Sequence, residues 1–263
     1  MSIATFLPII IGILAGWLIN YLADVLPATR SFSQATCQKC DATMSPSTYL
    51  LMKKCPSCEA RRSPRSWFIL ILGVISSLLL WFNPHTKLGY YFGFILLIYF
   101  TTVFVIDLEH RLIMHPVSIV GGLLGFGIGI ALHGIAPTLQ GGLGGFAIMM
   151  IFYLFGILFA RIRARKMASS GQELDDEEAL GAGDVILATV LGLILGWPLI
   201  WFGLLLGILL GGLITLPMLL IMLVVRRYKQ DAWMTFIPYG PFFLISAILI
   251  IYFPNLLSVL VPK

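Results

Sequence analysis

Two aspartates stand where long apolar runs meet polar sequence. Thr101-Thr-Val-Phe-Val-Ile-Asp107 ends one run and leads into Leu108-Glu-His-Arg-Leu-Ile-Met-His-Pro116, while Gly181-Ala-Gly-Asp184-Val-Ile-Leu opens another. A carboxylate at such a boundary is costly unless it faces water or a partner, which makes it a functional candidate. Two carboxylates within hydrogen-bond reach cannot both ionise easily, and they share a proton. One can then act as general base on a water while the other, protonated, polarises a peptide carbonyl. Such a pair needs no serine, cysteine or metal. The signatures of those alternatives (His-Glu-x-x-His, Gly-x-Ser-x-Gly, a glycine-rich phosphate loop before lysine) do not occur in the chain.

Each aspartate taken alone also has an ordinary structural role open to it. Asp184 would cap the helix that follows, and Asp107 would pair with Arg111 one turn on. Gly181 and Gly183 take side chains away beside Asp184, which predicts a close backbone approach or a turn of positive φ. Glu109, His110 and His115 read as interfacial or cavity-lining groups. Asp24 reads as a helix-end residue and Asp175-Asp-Glu-Glu178 as a solvated loop.

The second chemical constellation is Cys37-Gln-Lys-Cys40 and Cys55-Pro-Ser-Cys58, the chain's four cysteines. Fourteen residues separate the pairs, a little short of the usual four-cysteine zinc ribbon. Two such knuckles let four thiolates converge tetrahedrally on one zinc ion, and closed sites of that kind are structural. Lys39, Lys53, Lys54, Arg61 and Arg62 would offset the thiolate charge. Two disulfides or four separate thiols are the alternatives, and a reducing compartment disfavours the disulfides. The expected role is to fold a loop too short to build its own core.

The elements that carry these residues follow from composition. The chain is 59% hydrophobic and 11% charged, too apolar to hide its side chains in a soluble globule of 263 residues. About 20 apolar residues cross a bilayer core of about 30 Å. The expected spans are 3–22, 67–82, 88–106, 117–133, 142–160, 185–197, 201–225 and 238–257. The first lacks an Ala-x-Ala cleavage site and reads as an anchor. The run Val185–Val225 is too long for one helix, and Trp197-Pro198 is where it should fold in two. With the loop Tyr21–Ser66 assigned to the cytoplasm, fifteen of the 17 lysines and arginines fall on that side, leaving Lys87 and Lys263 opposite. Both aspartates then lie just inside the cytoplasmic boundary. The net charge of +5 thus reflects topology, and no aromatic–basic surface supports nucleic-acid binding. The expected architecture is an all-α polytopic membrane protein of about eight helices in the plasma membrane. Its organisation is a first helix (1–22), a four-cysteine cytoplasmic loop (23–66) and a core of about seven helices (67–263).

Taken together, these features resemble the type IV prepilin peptidases, membrane aspartic peptidases of the Gly-x-Gly-Asp class. The resemblance runs through Gly12-Ile-Leu-Ala-Gly-Trp-Leu-Ile-Asn20, the two cysteine pairs, Ile106-Asp107, Gly181-Ala-Gly-Asp184, Leu191-Gly-Leu-Ile-Leu-Gly196 and Ile237-Pro-Tyr-Gly-Pro241. It implies that Asp107 and Asp184 are the catalytic pair and that Cys37, Cys40, Cys55 and Cys58 bind zinc. The implied substrates are type IV prepilins or the pseudopilins of type II secretion and competence systems. These carry a basic leader, a glycine before the scissile bond and a hydrophobic helix after it.

Many members also methylate the new amino terminus with S-adenosylmethionine, using the first cytoplasmic loop. Here the chain departs from the pattern: Met44-Ser-Pro-Ser47 follows the first cysteine pair, Ser63-Pro-Arg-Ser-Trp67 follows the second, and Ile186 replaces a common lysine. Methyl transfer is left open on those grounds. An ion- or proton-coupled transporter using the two aspartates is the competing reading. Carboxylates at one membrane face argue against it, because transporters place such sites near the midplane.

Overall fold

The computed structural model describes residues 3–168, 181–224 and 238–257. The acidic run Asp175–Glu178, the basic residues Arg226, Arg227 and Lys229, and Lys263 lie outside the described residues. The described part is helical: α1 (Ile3–Thr29), α2 (Pro46–Leu50), α3 (Pro64–Phe82), α4 (Gly89–His110), α5 (His115–His133), α6 (Ile135–Ala168), α7 (Ala182–Leu195), α8 (Leu199–Val224) and α9 (Gly240–Tyr252), closed by a 3-10 turn at Pro254–Leu257. Each expected span has its helix. Among the described residues six helices are long and apolar enough to cross a membrane, whereas α7 and α9 are shorter apolar helices of 14 and 13 residues. At about 1.5 Å per residue neither reaches about 30 Å alone. This is a multi-pass membrane protein. Large side chains such as Leu123, Leu143, Phe155 and Leu213 point outward, as lipid permits.

Two compact units divide the chain, Met1–Leu112 and Ile113–Lys263. In the first, α1 and α3 cross at small residues. A Cβ on Gly12 would lie 2.6 Å from the Cα of Val74, and one on Gly73 would lie 2.7 Å from the carbonyl oxygen of Gly12. With Gly16 four residues on, this is the small-xxx-small contact by which membrane helices bring their backbones together. Polar bonds complete the crossing: the Ser77 hydroxyl donates to the Pro8 carbonyl at 2.6 Å, and the Asn20 amide donates to the Ser66 carbonyl at 3.0 Å. Asp24 does not end α1, as the sequence had suggested. The helix runs on to Thr29, because Asn20 also returns a bond to the Gly16 carbonyl and Asp24 finds partners of its own.

In the second unit α5 and α6 are joined through Gly134, whose φ of +86° turns the chain within one residue. Both helices pack on α7, again through glycines: Gly129 on the Leu193 carbonyl, and Gly145 on the Ala188 carbonyl. His133 closes the corner, bonding through Nε2 to the Ile194 carbonyl at 3.0 Å and through Nδ1 to Thr138 Oγ1 at 3.2 Å. The expected break falls where the sequence put it. Gly196 (φ +72°) ends α7, the Trp197-Pro198 bond is cis, and α8 starts at Leu199. Finally α8 meets α9, where the Ser246 hydroxyl donates to the Gly203 carbonyl at 2.7 Å.

Candidate active site and metal centre

The four cysteines converge. Their sulfurs all lie within 4.8 Å of one another, with Cys37 Sγ to Cys58 Sγ at 3.6 Å and Cys40 Sγ to Cys55 Sγ at 3.7 Å. These separations are far from the roughly 2.05 Å of a disulfide. They match the roughly 3.8 Å between ligands of a tetrahedral zinc bound by sulfur at about 2.3 Å. The same local structure occurs twice. The Cys37 N–H donates to the Ala42 carbonyl at 2.9 Å and the Asp41 N–H to the Cys37 carbonyl at 2.9 Å. Eighteen residues later the Cys55 N–H donates to the Ala60 carbonyl at 3.0 Å and the Glu59 N–H to the Cys55 carbonyl at 2.9 Å. Asp41 and Glu59, directly after the second cysteine of each pair, both have φ near +54°.

The thiols answer differently to their surroundings. Backbone N–H groups of Ser57 and Cys58 aim at the Cys55 sulfur and bring its thiol down to about 6. The Ala42 N–H favours a Cys40 thiolate too, yet its crowd of sulfur neighbours, Cys58 first, pushes that thiol up to about 12. Four thiolates this close need a cation between them. The residues present therefore suit a structural zinc ion held by Cys37, Cys40, Cys55 and Cys58. A small core also supports the loop: Cys37, Cys55, Ala35, Met44 and Tyr49 bury against Val25, with Tyr21 beside them. The loop thus borrows the end of α1 where it lacks a core of its own.

Asp107 is 4% exposed in the last turns of α4, while Leu108 after it is exposed. Its backbone carbonyl accepts the N–H of Arg111, which takes a left-handed φ of +53° and ends the helix. A buried carboxylate at the end of an apolar helix is a candidate for function.

Asp184 belongs to the other unit. Gly181 is the N-cap of α7, so Asp184 sits within the first turn and is not the cap; its N–H donates to the Gly181 carbonyl at 3.0 Å. The glycines act differently from expectation. Neither takes positive φ; a Cβ on Gly181 would make only ordinary contacts, with Gly183 N at 3.9 Å and Asp184 Oδ2 at 4.0 Å, and Gly183 leaves room for the Ile113 side chain, whose Cβ would stand 3.0 Å from an added Cβ.

The largest departure from the sequence reading concerns Asp24. Its side chain is 4% exposed and accepts bonds from Arg62 Nη2 at 3.1 Å, from Arg65 Nη2, from the Tyr49 hydroxyl and from Gln38 Nε2 at 3.3 Å. The Arg62 guanidinium also lies over the Tyr49 ring, 4.0 Å from its centroid. Arg62, expected to face the thiolates, is engaged by Asp24. Arg65 extends the network with a second ion pair to Glu109. A signal was present in the sequence: Asp24 has apolar neighbours on both sides, and Arg62 and Arg65 are spaced three apart around Ser63-Pro64.

Residues 94–216 match the family model described as the type IV leader peptidase family. Over this segment the chain is similar to that family. The matched segment contains Asp107 and Asp184, and the four-cysteine loop precedes it. Neither the curated proteins nor the solved structures compared with the chain gave a match.

Proposed function

We propose that this protein is an aspartic endopeptidase that removes the leader of prepilin-like substrates at the cytoplasmic face of the plasma membrane, with Asp107 and Asp184 as its two working carboxylates. The observation that carries the reading is the leader peptidase match over residues 94–216, which encloses both acids, each at the end of an apolar helix. The excess of lysine and arginine in the loops assigned to the cytoplasm supports the orientation.

The chemistry needs a base and an acid. One aspartate takes a proton from water as the oxygen adds to the scissile carbonyl carbon. The other, protonated, donates to the carbonyl oxygen. Collapse of the tetrahedral intermediate breaks the C–N bond: the proton first taken from water passes to the leaving amine, and a hydroxyl proton of the intermediate returns to the other aspartate as the C=O re-forms. A prepilin-like leader, held by its positive charge at the anionic inner leaflet, would meet the acids there. The zinc held by the cysteines would fold the loop and take no part in this step. Transfer of a methyl group from S-adenosylmethionine is a separate possibility that the same experiment reads.

That experiment is mass spectrometry of a co-expressed prepilin. Loss of the leader that depends on both aspartates is the expected result, and an added 14 Da on the new amino terminus is the mark of methylation (one CH2 unit). Ion flux dependent on both acids, with the prepilin left whole, would sink the peptidase reading.

A further inference from the structure

We infer that Arg65 and Glu109 are positioning residues for peptide hydrolysis, fixing the last turn of α4 and with it Asp107. The inference rests on the function just proposed.

Arg65 stands in the first turn of α3, directly after the Ser63 cap and Pro64. Its two terminal nitrogens serve two acids: Nη2 pairs with Asp24 on α1, and Nη1 pairs with Glu109 on α4. The planar guanidinium fork can satisfy both at once, where a lysine ammonium would act only as a point charge. On one side the fork is anchored. Asp24 is nearly fully buried and is also held by Arg62, Tyr49 and Gln38, so three segments of the first unit converge on it. On the other side Glu109 lies two residues beyond Asp107, in the turn that Arg111 closes.

A helix end loses its internal hydrogen-bond partners, and its last turn frays unless something ties it. An exposed ion pair would be a weak tie, and Glu109 keeps 34% of its side chain in solvent. Arg65 itself is mostly buried and is fixed by Asp24, so its end of the pair is already immobilised. Two arginines and two acids leave the quartet neutral, which removes the penalty for gathering them at a membrane boundary. The four-cysteine loop enters the same network through Tyr49 and Gln38. Loop, α1 and α3 therefore all bear on the turn that carries Asp107.

The test uses the full chain in detergent or proteoliposomes, with a purified prepilin as substrate, and compares Arg65→Gln, Glu109→Gln, the double variant and Asp107→Asn. Misplacing a reacting group by about 1 Å costs up to roughly 100-fold. Each single variant should lower kcat roughly tenfold and leave KM within about twofold. The double variant should be no worse than either single one, because both changes cut the same link. Glu109→Gln keeps the Arg65–Asp24 pair, so it decides the matter should Arg65→Gln fail to accumulate. Multiplying effects in the double variant, or a raised KM at constant kcat, would overturn the proposal; the latter would make Glu109 a substrate contact. Full activity of Glu109→Gln beside an inactive Asp107→Asn would also overturn it while sparing the peptidase reading. An active Asp107→Asn would remove that reading and this proposal with it.

Discussion

Gly141 of α6 and Gly192 of α7 meet backbone to backbone: a Cβ added to either would clash with the carbonyl oxygen of the other. The contact holds the short helix whose first turn carries Asp184. Substitution by valine at either position should therefore cost at least about 1–3 kcal/mol through overpacking. Gly156, on the same α6, has open space around its missing Cβ. Gly156→Ala should be neutral or stabilising by up to about 1 kcal/mol. Thermal unfolding in detergent measures both, and equal losses at Gly156 and Gly192 would mean that close packing is not what these glycines provide.

Asp107→Asn and Asp184→Asn should each reduce leader removal by at least roughly a thousandfold, since each deletes one half of the proposed acid–base pair. Accumulation in the membrane should be unchanged. Cleavage rates of a purified prepilin, alongside quantitative blotting, check this; a variant that keeps cutting at near the parental rate removes that aspartate from the mechanism.

Purified protein should contain about one zinc ion per chain, held by four thiolates. Cys37→Ser or Cys55→Ser should abolish the metal and expose the loop between α1 and α3 to protease, with α5 to α9 left intact. Elemental analysis and limited proteolysis read the two effects. Full protection of a metal-free loop would show that the small core around Val25 and Tyr49 folds it unaided.

Tyr49→Phe keeps the ring beneath Arg62 and removes only the bond to the Asp24 carboxylate. The expected loss is about 1–3 kcal/mol, the range for a hydrogen bond to a charged, buried partner. Burial first, and then the Asp24 charge, push the Tyr49 hydroxyl above the ordinary tyrosine range. A folded pKa raised in this way stabilises fully below the unfolded value of about 10 and loses that contribution as pH rises from there through the folded pKa. The alkaline decline of stability should thus be shallower in Tyr49→Phe than in the parent, and identical slopes would contradict the linkage.

The helices were legible because lipid imposes a simple rule, that a span must be apolar for about 20 residues, and local composition answers it. The break at Trp197-Pro198 was legible for the same reason, as a proline restricts the residue before it. Convergence of Cys37, Cys40, Cys55 and Cys58 followed from two identical knuckles, each closed by bonds within six residues. Asp107 and Asp184 were visible as acids out of place in apolar surroundings. Tertiary structure alone decided what Asp24 does, since its partners Arg62 and Arg65 stand 38 and 41 residues away and are chosen by how α1 and α3 cross. It alone revealed the link from Arg65 to Glu109, 44 residues on. It alone explained the glycines at 12, 73, 141 and 192, because a missing side chain carries no sign of which backbone will fill its place. Properties set by one residue and its near neighbours can be read along a chain; those set by which distant surfaces meet require the fold.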